Sequence, residues 1–110
     1  MTDVCTVNYI DHVGVAVKNI DTALAFFKKV FDVLDAHIEL MEDQGVRACL
    51  IEVGQTRLEL LEPTGPESGV GRFIERRGEG LHHLAFNVTD IPGKLQTLHT
   101  LGVDLIDQTP

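Results

Sequence analysis

Gly80-Leu81-His82-His83-Leu84-Ala85-Phe86-Asn87-Val88-Thr89-Asp90-Ile91 repeats an earlier stretch of the same chain, Ile10-Asp11-His12-Val13-Gly14-Val15-Ala16-Val17-Lys18-Asn19-Ile20. Set in step, His12 falls on His83, Val13 on Leu84, Gly14 on Ala85, Val15 on Phe86, Val17 on Val88 and Ile20 on Ile91, at a constant offset of 71 residues. An internal repeat decides the architecture before any local reading does. Because both copies carry a histidine at the same place, the two point to one paired site rather than to two unrelated residues.

Both copies alternate. In the first, Asp11, Val13, Val15 and Val17 share one face, and Ile10, His12, Gly14 and Ala16 the other. The valine face suits packing under a helix. The opposite face flanks His12 with two very small residues and leaves room beside the imidazole. In the second copy His83 again has a small neighbour, Ala85, whereas His82 falls on the helix-packing face and reads as structural.

Outward from the first copy, Asn19 or Asp21 can cap a helix whose stripe is Ile20, Ala23, Leu24, Phe27, Val30 and Phe31, with the phenylalanines expected in the core. Residues 36–44 read as a short strand and a polar turn, in which His37 stands alone as a surface or core residue. Residues 46–53 and 56–62 read as two strands joined across Gly54-Gln55 as a tight hairpin. In the second of them Arg57, Glu59 and Leu61 share a face. Pattern alone leaves Glu59 open between an edge position in solvent, a partner for Arg57 and a carboxylate set among apolar neighbours.

Pro63-Thr64-Gly65-Pro66 ends this first module. The connector that follows predicts a short helix opened near Ser68 and ended by Gly78. It carries Arg72, Arg76 and Arg77, either as a solvated basic face or as contacts to the phosphates of a ligand. After the second copy, Asp90 caps a helix with Pro92 in its first turn, a Leu95, Leu98, Leu101 stripe and Gly102 at its end. Residues 103–106 begin another strand. The expectation is an α+β chain of paired βαβββ modules in a single domain over 1–110: module one at about 7–63, a connector at 64–79 and a second module at 80–110, truncated at its C-terminus.

Composition narrows the function classes. The 110 residues hold 44% apolar and 24% charged side chains, an ordinary globular mix. Seventeen acidic against nine basic residues, a net charge of −8, disfavours nucleic acid, which needs a basic footprint. An anionic small molecule remains compatible through a local basic cluster or a metal ion. No apolar run approaches the roughly 18–20 residues of a membrane span. The first residues show no secretory signal, and Cys5 and Cys49 are too few for a disulfide framework. The expected location is cytoplasmic, with both thiols reduced.

Two modules related by pseudo-twofold symmetry would bring His12, His83 and Glu59 onto one concave face. Imidazole and carboxylate donors with open positions fit Co²⁺, Ni²⁺, Mn²⁺ or Zn²⁺.

At these residues the chain resembles the vicinal oxygen chelate superfamily, which includes glyoxalase I, extradiol dioxygenases and methylmalonyl-CoA epimerase. Three stretches resemble the epimerase family in particular: residues 10–17, Leu58-Glu59-Leu60-Leu61-Glu62-Pro63, and residues 73–86, of which Gly80-Leu81-His82-His83-Leu84-Ala85-Phe86 is the most specific. Asp43-Gln44-Gly45-Val46 and Gly102-Val103 also fit. The resemblance implies the paired glyoxalase-type fold, a homodimer, an acyl-CoA thioester substrate and a divalent metal ion, cobalt first. It implies that His12 and His83 are metal ligands and that Glu59, where family members carry Gln or Glu, is a ligand or lies close to the metal. The repeat selects His83 over His82 independently.

Two departures matter. The glutamate that the family carries on its last strand has no counterpart here, and the position of a second base found in some members is Ala48. No catalytic base is therefore assigned; Glu52, of the same strand parity as Ala48, is the only local substitute. The implied chemistry is epimerisation of methylmalonyl-CoA at C2. The competing readings are a glyoxalase I-like lactoylglutathione lyase or another enzyme of the fold, and a metal-free, non-catalytic module that binds a small molecule.

Overall fold

A computed structural model describes residues 7–33 and 36–102. Strand β1 (Val7–Ala16) leads into helix α1 (Ile20–Phe31), then β2 (Ile38–Met41), a 3-10 turn (Glu42–Gln44), β3 (Val46–Val53) and β4 (Thr56–Pro63). This is a complete βαβββ module. Helix α2 (Gly69–Arg77) connects it to β5 (Gly80–Val88) and α3 (Ile91–Thr100), which repeat the strand–helix opening of the first module. The strand expected at 103–106 lies outside the described residues. The described strands form one sheet in the order β2-β3-β4-β1-β5.

Local chemistry accounts for the element ends. Asn19 caps α1 by accepting from Thr22 N, Ser68 caps α2 by accepting from Gly71 N, and Asp90 caps α3 by accepting from Gly93 N. Gly78, with φ +79°, stops α2. The β3–β4 hairpin turns on Gly54, whose φ of +62° is a left-handed conformation that glycine adopts without a steric cost.

The chain divides into two compact units. The larger, Asp11–Ala85, carries two apolar clusters. One joins Val17, Ile20 and Leu24 to Cys49, Ile51 and Leu60, so α1 covers the valine face of β1 as its alternation predicts. The other joins Ala16, Val46, Ala48 and Leu61 to Val70 of α2. Ile20 and Leu60 are fully buried, each contributing about 1.5–3 kcal/mol relative to exposure. Phe27 packs against the first cluster, but Phe31 is 63% exposed. It lies in the last turn of α1, and the chain leaves the helix at Asp32 in a left-handed conformation.

The smaller unit contains residues 7–10 and, from Phe86 onward, the end of β5 and α3. Asn8 Nδ2 donates to Asn87 Oδ1 at 2.8 Å, tying β1 to β5 there. Helix α3 has no buried residue among those described, and Leu98 and Leu101 of its expected stripe are exposed.

Candidate metal centre

Register places the site. β1 and β4 run parallel with His12 opposite Arg57, Gly14 opposite Glu59 and Ala16 opposite Leu61. His12 and Glu59 therefore rise from the same face, flanking Gly14. His83 reaches the same place from β5. A Cβ on Gly14 would collide with Cε1, Nδ1 and Nε2 of the His83 ring. The room beside the first histidine is thus the seat of the second, and all three side chains converge over the one residue of that face that has none.

The polar atoms meet closely. His12 Nε2 and His83 Nε2 are 3.1 Å apart, and Glu59 Oε1 lies 3.6 Å from the first and 3.7 Å from the second. A triangle with these sides has a point about 2.0 Å from every corner, which is the bond length of a divalent transition ion to imidazole nitrogen and carboxylate oxygen. The two rings stand edge to face at 90° rather than stacking, with their Nε2 atoms next to each other. The three residues are half-buried, and their donor atoms form a cluster able to hold a metal ion. The set fits the group: two soft-to-intermediate nitrogens, one oxygen and open positions for a substrate.

Each imidazole is also held from behind. His12 Nδ1 donates to Asp11 Oδ2 at 2.9 Å, and the same oxygen accepts from Arg57 Nη2 at 2.8 Å. The hydrogen bond from His12, followed by that from Arg57, keeps the Asp11 carboxyl below its usual pKa, against desolvation. His83 Nδ1 lies 2.8 Å from His82 Nδ1, and the His82 ring rests on Phe73 of α2 with centroids 4.9 Å apart. Burial pushes the His83 pKa down, helped by His82 and His12 and opposed by Glu59. An imidazole held neutral keeps a lone pair for a ligand. Outer partners of this kind orient metal-binding histidines.

His12, Glu59 and His83 thus come together as the repeat and the strand parity predict. Arg57 does not pair with Glu59; it crosses to Asp11 on the neighbouring strand. His82 rests on Phe73 of α2, on the helix-packing face, and also meets the outer nitrogen of His83. The signal for Asp11 and His82 is in the repeat itself, which aligns them one residue before each histidine. Glu62 also escapes the sequence reading. Its Oε1 accepts from Ile20 N at 2.8 Å and its carboxylate meets Arg47, so it anchors the start of α1 to β4. Ala48 is buried beside Leu61 and Val70 and offers no proton acceptor, while Glu52 is exposed opposite Arg57 and makes no hydrogen bond to the three site residues. His37 is exposed and stands apart from the cluster.

The family model described as glyoxalase/bleomycin resistance protein/dioxygenase superfamily matches residues 11–110. The uncharacterised protein YqjC of Bacillus subtilis is 39% identical over 94% of this chain and 74% of its own length. The mitochondrial methylmalonyl-CoA epimerase of Dictyostelium discoideum is 29% identical over 92% of this chain, which spans 61% of that relative's length. Among solved structures, a methylmalonyl-CoA epimerase in complex with methylmalonyl-CoA and ammonium superposes with a TM-score of 0.87 at 32% identity, covering 96% of this chain and 77% of its own. No helix of the described residues is long and apolar enough to cross a membrane.

Proposed function

The chain belongs to the glyoxalase/bleomycin resistance protein/dioxygenase superfamily and is closely related to methylmalonyl-CoA epimerases, and on that premise we propose that it interconverts (2R)- and (2S)-methylmalonyl-CoA in a metal-dependent reaction. The observation that carries this reading is the His12–Glu59–His83 triangle, with both imidazoles held at Nδ1 and turned inward at Nε2. The C2 proton of such a substrate lies between a thioester and a carboxylate, so its removal leaves an enolate. A divalent ion held by His12, Glu59 and His83 would supply the positive charge that stabilises enolate oxygen.

The chain's own residues do the positioning. Asp11 and Arg57 fix the His12 ring, His82 and the notch at Gly14 fix the His83 ring, and Glu59 contributes the single anionic donor. One negative donor against a dication leaves net positive charge for the substrate oxygens. Cobalt is the proposed ion; zinc, nickel and manganese suit the same donors. Residues 1–110 act as a single domain in this reading, working as a cytoplasmic homodimer. The exposed Tyr9, Phe86, Ile91 and Leu101 support the pairing of copies.

The test is proton exchange. Cobalt-loaded protein incubated with methylmalonyl-CoA in deuterium oxide should place deuterium at C2, and His12→Ala and His83→Ala should lose both the ion and the exchange. A fully loaded wild-type protein that leaves C2 protiated would sink the proposal.

A further inference from the structure

Five arginines are present: Arg47, Arg57, Arg72, Arg76 and Arg77. Arg47 pairs with Glu62 and Asp21, and Arg57 pairs with Asp11. The other three make no salt bridge or side-chain hydrogen bond among the described residues, although acidic side chains outnumber basic ones seventeen to nine. All three line one cleft on α2, of about 310 Å³, together with Gly69, Phe73 and His82. Like charges gathered without carboxylates repel one another, and an acidic chain has carboxylates to spare. The helix C-terminus favours Arg76 and Arg77 in its last turn but does not account for Arg72 in the first half of the helix. Among the described residues no carboxylate lines this cleft, although Arg72 also borders a neighbouring one with Glu42, Asp43 and Glu67. A guanidinium fork matches phosphate oxygens two at a time, and none of the three arginines is taken up by an ion pair among the described residues.

The cleft adjoins the metal centre. His82 lines it, rests on Phe73 and meets His83 at Nδ1. The volume lies at the lower end of the roughly 300–1,000 Å³ typical of small-molecule sites. We propose that the α2 cleft binds the phosphate groups of the thioester substrate, with Arg72, Arg76 and Arg77 as the phosphate contacts and Phe73 and His82 as the wall against which the rest of the nucleotide end lies. This rests on the acyl-CoA reading above and names the groups that would hold the part of the substrate remote from C2.

Calorimetric titration of the cobalt-loaded protein with coenzyme A, with pantetheine and with inorganic pyrophosphate tests it. Coenzyme A should bind the wild type and weaken by about tenfold for each arginine exchanged in an R72Q/R76Q/R77Q series. Pantetheine, which lacks phosphates, should bind wild type and variants alike, and pyrophosphate should compete with coenzyme A. Metal content and Tm are measured on each variant to show that the fold is intact. Equal affinity of coenzyme A for wild type and triple variant overturns the assignment. So does pyrophosphate that binds through the arginines without displacing coenzyme A, because the anion is then a free one. Failure of the epimerase reading looks different: coenzyme A held by the arginines with no deuterium entering C2.

Discussion

In the first copy of the repeated strand, His12 Nδ1 meets a carboxylate that is itself tied to Arg57; in the second, His83 Nδ1 meets another imidazole, propped on Phe73. The repeat keeps the place of the outer partner, one residue before the site histidine, and changes its chemistry. His12 is held by charge-assisted hydrogen bonds, which are the stronger kind. His83 is held by an imidazole–imidazole contact and by shape, in the notch that Gly14 leaves. One half of the site is oriented electrostatically and the other sterically.

Breaking the steric half should have the largest effect. Gly14→Ala places a methyl group where the His83 ring lies, so cobalt affinity should fall by about 100-fold while the apolar clusters stay intact. A visible-absorbance titration of cobalt reads the affinity, and circular dichroism reads the fold. Unchanged affinity would mean that the ring swings aside without cost, and that shape does not hold it.

The partners come next. Asp11→Asn removes the charge behind His12 and should cost about 10–100-fold in metal affinity, the range for outer partners of a ligating histidine. His82→Asn removes an imidazole rather than a carboxylate partner and should cost less than Asp11→Asn. The reverse order would show that the second histidine depends on its neighbour more than the first does. The smallest effect belongs to Ala85→Gly, which makes the second copy resemble the first at this position. The exchange removes one methyl group and no donor atom, so it should leave metal affinity alone and cost about 0.5–1 kcal/mol of strand stability in urea unfolding.

Much of the molecule is readable from residue order because the signals are local or repeated. Asn19, Ser68, Asp90 and Gly78 bound their helices where short-range hydrogen bonding puts them. His12, His83 and Glu59 follow from period-two alternation and from the repeat. The unread parts depend on side chains that leave their own face. Asp11 alternates onto the helix side of β1, yet its carboxylate turns to the imidazole beside it; Arg57 is long enough to follow it there rather than stay with Glu59. Glu62 reaches the first amide of α1 across 42 residues of chain. Phe31 has the right spacing for a core residue, but periodicity says nothing about how far the covering strands extend along a helix.

The line of contacts from His82 through His83 and His12 to Asp11 has a consequence for protons. With one proton on each ring, an ionised carboxylate can only accept, so His12 carries its proton on Nδ1 and offers a lone pair at Nε2. His83 must then carry its proton on Nε2, and His82 on Nδ1. Coordination asks for the opposite tautomer at His83, with the proton moved to Nδ1 and that of His82 moved to Nε2. His12 is therefore ready for an ion in either state, whereas His83 changes tautomer together with its neighbour. Loading the site shifts two protons along the line without adding or releasing one, and nitrogen-15 spectra should show paired changes at His82 and His83 while His12 Nδ1 stays protonated.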